Sequence, residues 1–140
     1  MKPHFRILII FIVLGSIKAD PARAQNISTT PIKWTLNGGK DLKTNAEFTY
    51  SGYFTTGSGN TIIWAQKDET SEFSVNSTEG AWSDLTQTGK TIYSIEQGGS
   101  KGTLTFEKSG SATTIVLDFP ANDPNGSKIK FTVTSLTQLN

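Results

Sequence analysis

The chain has 140 residues, no cysteine, one histidine, and thirteen lysines and arginines against twelve acids, a formal net charge of +1. That length fits one domain, no disulfide can staple it, and nothing in the charge balance suits it to nucleic acid. Without the leader described next, histidine, arginine and methionine are absent too, which excludes a Ser-His-Asp triad, a Cys nucleophile, a His/Cys zinc site and a bidentate arginine fork.

Lys2 and Arg6 precede an unbroken apolar run, Ile7 to Leu14, and Ala22-Arg23-Ala24 offers small residues at the spacing a signal peptidase reads. The run is shorter than the ~20 apolar residues a membrane span takes. Residues 1–24 are therefore expected to be a signal peptide cleaved after Ala24. No cysteine follows to carry a lipid, so the expected location is periplasmic or extracellular, without a lipid anchor. The remainder, Gln25 to Asn140, holds nine lysines and eleven acids, a net charge of −2. Residues 25–30 are polar and expected to be disordered, and 31–140 to form one domain that buries roughly two-thirds of its unfolded surface.

Pro31 to Leu36 predicts a first strand, with Ile32, Trp34 and Leu36 on one face, ended by Asn37-Gly38-Gly39-Lys40. Ala46 to Phe54 predicts the second, in which Gly52 marks a bulge and Tyr53 and Phe54 point to opposite faces. Thr61 to Lys67 is a third, apolar on both faces. Short strands are expected over 72–76 (Phe73 and Val75 inward) and 81–86 (carrying Trp82), then over 91–96 with Tyr93 and Ile95 sharing a face. Lys101 to Phe119 is a hairpin about Lys108-Ser109-Gly110-Ser111, with Leu104, Phe106, Ile115, Leu117 and Phe119 on its apolar face. Lys128 to Thr134 closes the chain with Ile129, Phe131 and Val133 in phase. Leu136 breaks that phase, which predicts a bulge or strand end near Ser135.

No stretch has helical period. The linkers are too short for parallel crossovers, so the fold class is all-β: an antiparallel up-and-down meander of eight or nine strands, closed into a small barrel. Nine strands would close in parallel, so either 72–76 and 81–86 form one bent strand or the sheet splits into a β-sandwich. A sandwich would suit an adhesion, glycan-contact or assembly module. Of the residues after the leader 33 are Ser or Thr, mostly on the predicted wet faces, where their hydroxyls keep the outer surface soluble and point to no chemistry.

Four carboxylates, Asp84, Glu96, Glu107 and Asp118, are the only acids suggested for a two-carboxylate hydrolase, and each also reads as a solvated strand residue. Asn122, Asp123 and Asn125 carry oxygen ligands, but their spacing fits a turn better than a calcium loop. No metal or cofactor is expected. The ligand-binding candidates are two aromatic and polar pairs, Trp64 with Gln66 and Trp82 with Asp84, each two residues apart on a predicted strand. An eight-stranded barrel barely holds its own side chains. With Trp34, Phe48, Tyr50, Phe73, Tyr93, Phe106 and Phe131 also inward, a pocket is expected to be shallow and at one end. In such a meander the loops near 55–60, 97–101 and 120–127 are expected to lie together at that end.

Trp34 on the first strand, the meander of short strands and the closing KIKFTVTSL of Lys128–Leu136 resemble the lipocalin-like (calycin-type) barrels of small exported bacterial proteins. Ile32 stands where lipocalins place Gly, and Lys130 is the candidate for the basic residue that covers the first-strand Trp. The resemblance implies a non-catalytic carrier of a small apolar ligand; the residues themselves leave a small ligand or a surface partner open.

Overall fold

The computed structural model describes residues 26–120 and 126–140. The leader over 1–24, its cleavage point, and Asn122, Asp123 and Asn125 lie outside the described residues. Eight strands follow one another: β1 (Ile32–Asp41), β2 (Glu47–Ser58), β3 (Thr61–Gln66), β4 (Glu69–Glu79), β5 (Gly89–Gln97), β6 (Ser100–Ser109), β7 (Ala112–Asp118) and β8 (Lys128–Gln138). Each pairs antiparallel with the next, and β8 returns to β1, also antiparallel, to close a barrel. Closure removes every sheet edge and overturns the sandwich alternative.

The strand count settles on eight because 81–86 is not a strand. Phe73 and Val75 do lie on β4, but that strand runs on to Glu79, and Ala81–Asp84 then follows an irregular path without ladder partners. Losing one strand reverses the direction of everything after it. The β2–β3 turn at 58–61 therefore sits at one end of the barrel, here the base, while the β5–β6 and β7–β8 connections sit at the other, the rim. The expected grouping of three loops at a single mouth is corrected: only 97–101 and the described parts of 120–127 share an end.

Period-two burial runs through nearly every strand. Ile32, Trp34 and Leu36 on β1, Phe54 and Thr56 on β2, Thr91, Tyr93 and Ile95 on β5, Leu104 and Phe106 on β6, and Ile115 and Leu117 on β7 are all buried. Their alternating neighbours face water and pair across the strands: Lys90 with Glu107 at 3.7 Å and Lys128 with Asp118 at 3.0 Å. Lys33 lies over the outward ring of Tyr53, 4.2 Å from its centroid, while Phe54 points in, as the alternation requires.

β1 does not stop at Leu36. It continues through Gly38 and Gly39 to Asp41 because these glycines serve as points of close approach and not as a turn. A Cβ on Gly39 would stand 2.8 Å from the Phe48 ring, so the missing side chain lets that ring lean across β1. The register shifts here against both neighbours, between Leu36 and Gly38. Against β2 this shift begins at the pair Leu36–Gly52, beside the expected bulge. A second shift sets Thr35 opposite Ser135 but Leu36 opposite Val133. It returns Leu136 to the core side, packed against the buried cluster. The phase break at Leu136 is thus a bulge inside β8.

The β5–β6 turn shows tight-hairpin chemistry: Gly98 and Gly99 both have positive φ, 57° and 84°, between the paired residues Gln97 and Ser100. This is the type I′ pattern that matches strand twist, and glycine adopts it without a Cβ penalty.

The base is sealed. Asn26–Thr30, expected to be disordered, instead winds a turn in which the N–H groups of Thr29 and Thr30 donate to the Asn26 carbonyl. Ile27 is buried by it, since its side chain has the barrel's open end to enter, and its N–H donates to the Trp82 carbonyl at 3.2 Å. Trp82 drops in beside it, 5.8 Å from the ring of Trp34. Among the described residues no helix is long and apolar enough to cross a membrane.

Candidate functional site

The base plug and the aromatic interior leave the rim as the open end. β3 brings Ile62, Trp64 and Gln66 inward in turn. Trp64 is held in a row of rings: it stacks on Phe54 (centroids 5.4 Å, planes at 10°) and on Phe73 (6.4 Å, 19°), with Phe131 edge-on at 5.5 Å. Phe73 meets Phe119 at 6.3 Å. Phe119 lies just beyond β7, where its N–H donates to the Ser127 carbonyl at 2.8 Å.

These rings border a cavity of about 280 Å³. Its apolar wall is Trp64, Phe73, Phe119, Leu117 and Ile129, and its polar lining is Gln97, Ser100 and Ser127. None of these side chains carries a charge. The volume falls just below the usual range for ligand pockets, as expected where eleven aromatic side chains crowd an eight-stranded barrel.

Behind Trp64 the Tyr50 hydroxyl and the Trp64 indole N–H are both buried without a hydrogen-bond partner. Burial pushes the Tyr50 phenol up, and the Trp64 side chain beside it pulls it partly back. The two groups therefore lie close together but outside hydrogen-bond geometry.

The two predicted pairs separate. Trp64 lines the rim cavity. Gln66, on the same face one step further up, borders a different hollow of about 560 Å³ with Tyr50, Lys67 and Thr70. Trp82 and Asp84 lie at the opposite end. The Trp82 indole N–H donates to the carbonyls of Asp84 (2.8 Å) and Gln87 (3.2 Å), so Trp82 serves the plug. Asp84 is exposed, and its carboxylate accepts from the N–H and hydroxyl of Thr86 at 2.9 and 2.7 Å. Those bonds hold its carboxyl below the usual range. Grouping Trp82 with Asp84 as a strand pair is corrected, because neither is on a strand.

The 97–101 and 120–127 loops, expected beside the pocket, do reach it: Gln97, Ser100 and Ser127, which read only as turn residues, supply its polar side. The resemblance fails at one residue: Lys130 is exposed, in register with Lys40 near the rim. Phe106 at 4.8 Å, with Trp82, covers Trp34 instead.

The four candidate acids have other partners. Glu107 and Asp118 hold the ion pairs with Lys90 and Lys128, and their registers opposite Thr114 and Thr103 put them toward different ends of the β6–β7 hairpin. Glu96 is in register with Lys101, and Asp84 caps its own turn.

Eight antiparallel strands in sequence order, closed on themselves, define an up-and-down β-barrel, consistent with a calycin-like fold. Comparison with protein-family models returns no match, and neither does comparison with curated proteins.

Proposed function

We propose that this protein is an exported, non-catalytic carrier that takes a small, neutral, mainly apolar ligand at the barrel rim. The observation that carries the reading is the uncharged cavity between Trp64, Phe73 and Phe119, with amide and hydroxyl groups at one side. An apolar body with one or two hydrogen-bonding groups matches that lining. The outward partnering of Glu107 and Asp118 with lysines supports a binding role over carboxylate chemistry. Lysines and acids on the outer face, including Lys33, Lys90, Glu107 and Lys128, oppose the apolar band of a membrane barrel and support a water-soluble exterior. Export rests on the leader sequence.

Native mass spectrometry of the protein purified from its own host tests the reading. A co-purifying small neutral molecule is expected, and it should be lost in Trp64→Ala while the barrel remains folded by circular dichroism. Full retention of that molecule by Trp64→Ala would overturn the assignment to this cavity.

A further inference from the structure

Trp64 meets the rim cavity with the edge of its ring. The strands on either side of it, β2 and β4, turn Phe54 toward one face of the indole and Phe73 toward the other, with planes within 10° and 19° of its own. Its N–H is buried on the Tyr50 side, so the edge that borders the cavity is carbon and hydrogen. An aromatic edge carries the positive end of the ring's quadrupole, and the apolar partner that suits it is the negative face of another aromatic ring.

Depth and volume set the size of what can enter. Further toward the base Trp34, Phe54 and Phe106 are wholly buried and pack ring against ring, Phe106 lying 4.8 Å from Trp34 and 6.2 Å from Phe54. The interior is therefore filled below the cavity, and an extended chain would leave most of its length in water. At about 280 Å³ the space is nearly twice the ~150 Å³ of an apolar cavity that takes up benzene. Two fused rings fit that volume. Gln97, Ser100 and Ser127, all on the polar side, place hydrogen-bonding groups at one end of such a molecule.

Resting on the carrier reading, we propose that the rim cavity takes a neutral aromatic molecule of two fused rings with a single hydrogen-bonding substituent. The ring face lies on the Trp64 edge, Ile129 and Phe119 flank it, and the substituent points to Gln97 and Ser127. A charged substituent would have to shed water without gaining a counter-charge, because no charged side chain lines the cavity.

Equilibrium dialysis of the purified protein tests this, with 2-naphthol set against phenol (one ring), decanol (the same number of carbons in a chain) and 2-naphthoate (the charged analogue). Binding of 2-naphthol in the micromolar range is expected. Phenol forgoes the burial of a second ring and should bind at least about tenfold more weakly, and decanol and 2-naphthoate should be weakened to a similar degree. Ser127→Trp, which fills the mouth, should abolish binding with an unchanged circular dichroism spectrum. Gln97→Ala, at an exposed position, should weaken 2-naphthol several-fold and leave unsubstituted naphthalene unaffected. No binding of 2-naphthol, equal binding of phenol or decanol, or undiminished binding by Ser127→Trp would each overturn the proposal. A co-purifying molecule that has no fused rings and is lost in Trp64→Ala would overturn it as well, while leaving the carrier reading in place.

Discussion

Trp34 donates its indole N–H to the hydroxyl of Thr56 across the β1–β2 pair, at 2.9 Å, and both residues are wholly buried. A threonine so deep in an aromatic core is explained by that one bond: it satisfies a donor that no water can reach. Thr56→Val keeps the shape and removes the acceptor, so it should destabilise the barrel by about 1–3 kcal/mol. Urea denaturation followed by tryptophan fluorescence measures this. An unchanged midpoint would mean that the indole N–H finds another acceptor.

Trp82 holds the base of the barrel closed. It is 2% exposed, packs on Trp34 and closes the base with Ile27. Trp82→Ala should cost about 3–5 kcal/mol. Gly89 makes a finer test, because a methyl group there would collide with the Trp82 ring. Gly89→Ala should cost roughly 1–3 kcal/mol through overpacking, and much less once Trp82→Ala has cleared the space. Equal costs in the two backgrounds would show that the ring is not what the methyl meets.

Much of the architecture is legible as alternation. Ile32, Trp34 and Leu36, then Leu104 and Phe106, then Ile115 and Leu117 declare their inward faces because a strand's period is two, and these segments keep it without interruption. Even the phase break at Leu136 carries its meaning, a bulge. What cannot be read is the plug. Ala81–Asp84 offers one large apolar side chain among polar ones, which fits a short strand as well as a loop dropping a ring into an open barrel. Only the space below Trp34 decides between them. That ambiguity controls the candidate site, since one strand more or fewer exchanges rim and base for every later turn. Trp64 and the 97–101 and 120–127 loops could therefore be read as bordering a pocket, while the place of the 55–60 loop at the opposite end could not. The Gly38-Gly39 pair hides likewise, because a glycine that ends a strand and one that lets Phe48 lean over the backbone look alike in sequence.

Asp84 predicts an acid response confined to the base loop. Its carboxylate accepts from the Thr86 hydroxyl and N–H, so its pKa in the folded chain lies below that of the unfolded chain. The unfolded state therefore binds the proton first, and stability gained from these bonds is present above the ordinary carboxylate range and lost as pH falls through the folded value. The group is fully exposed, so a local effect is expected. Hydrogen exchange at the Thr86 amide, corrected for its intrinsic pH dependence, should lose protection in acid before the strand amides of β6 do. Asp84→Ala should remove that early loss, and simultaneous loss at Thr86 and in β6 would contradict the assignment.

Tyr93 predicts the alkaline response. Burial pushes its phenol up to about 12, only partly offset by the nearby Thr56 hydroxyl, whereas an unfolded tyrosine titrates near 10. Between those values the unfolded chain has released a proton that the folded chain still holds. The neutral phenol's contribution is therefore complete below about pH 10 and is lost progressively as pH rises toward about 12. Two units correspond to roughly 2–3 kcal/mol, enough to be seen in a protein of ordinary stability. Tyr93→Phe removes both the titration and a buried hydroxyl without a partner. It should unfold at an unchanged or slightly higher urea midpoint at neutral pH, and its midpoint should fall less steeply above pH 10 than that of the parent. Parallel decline of the two proteins through that range would assign the alkaline loss to groups other than Tyr93.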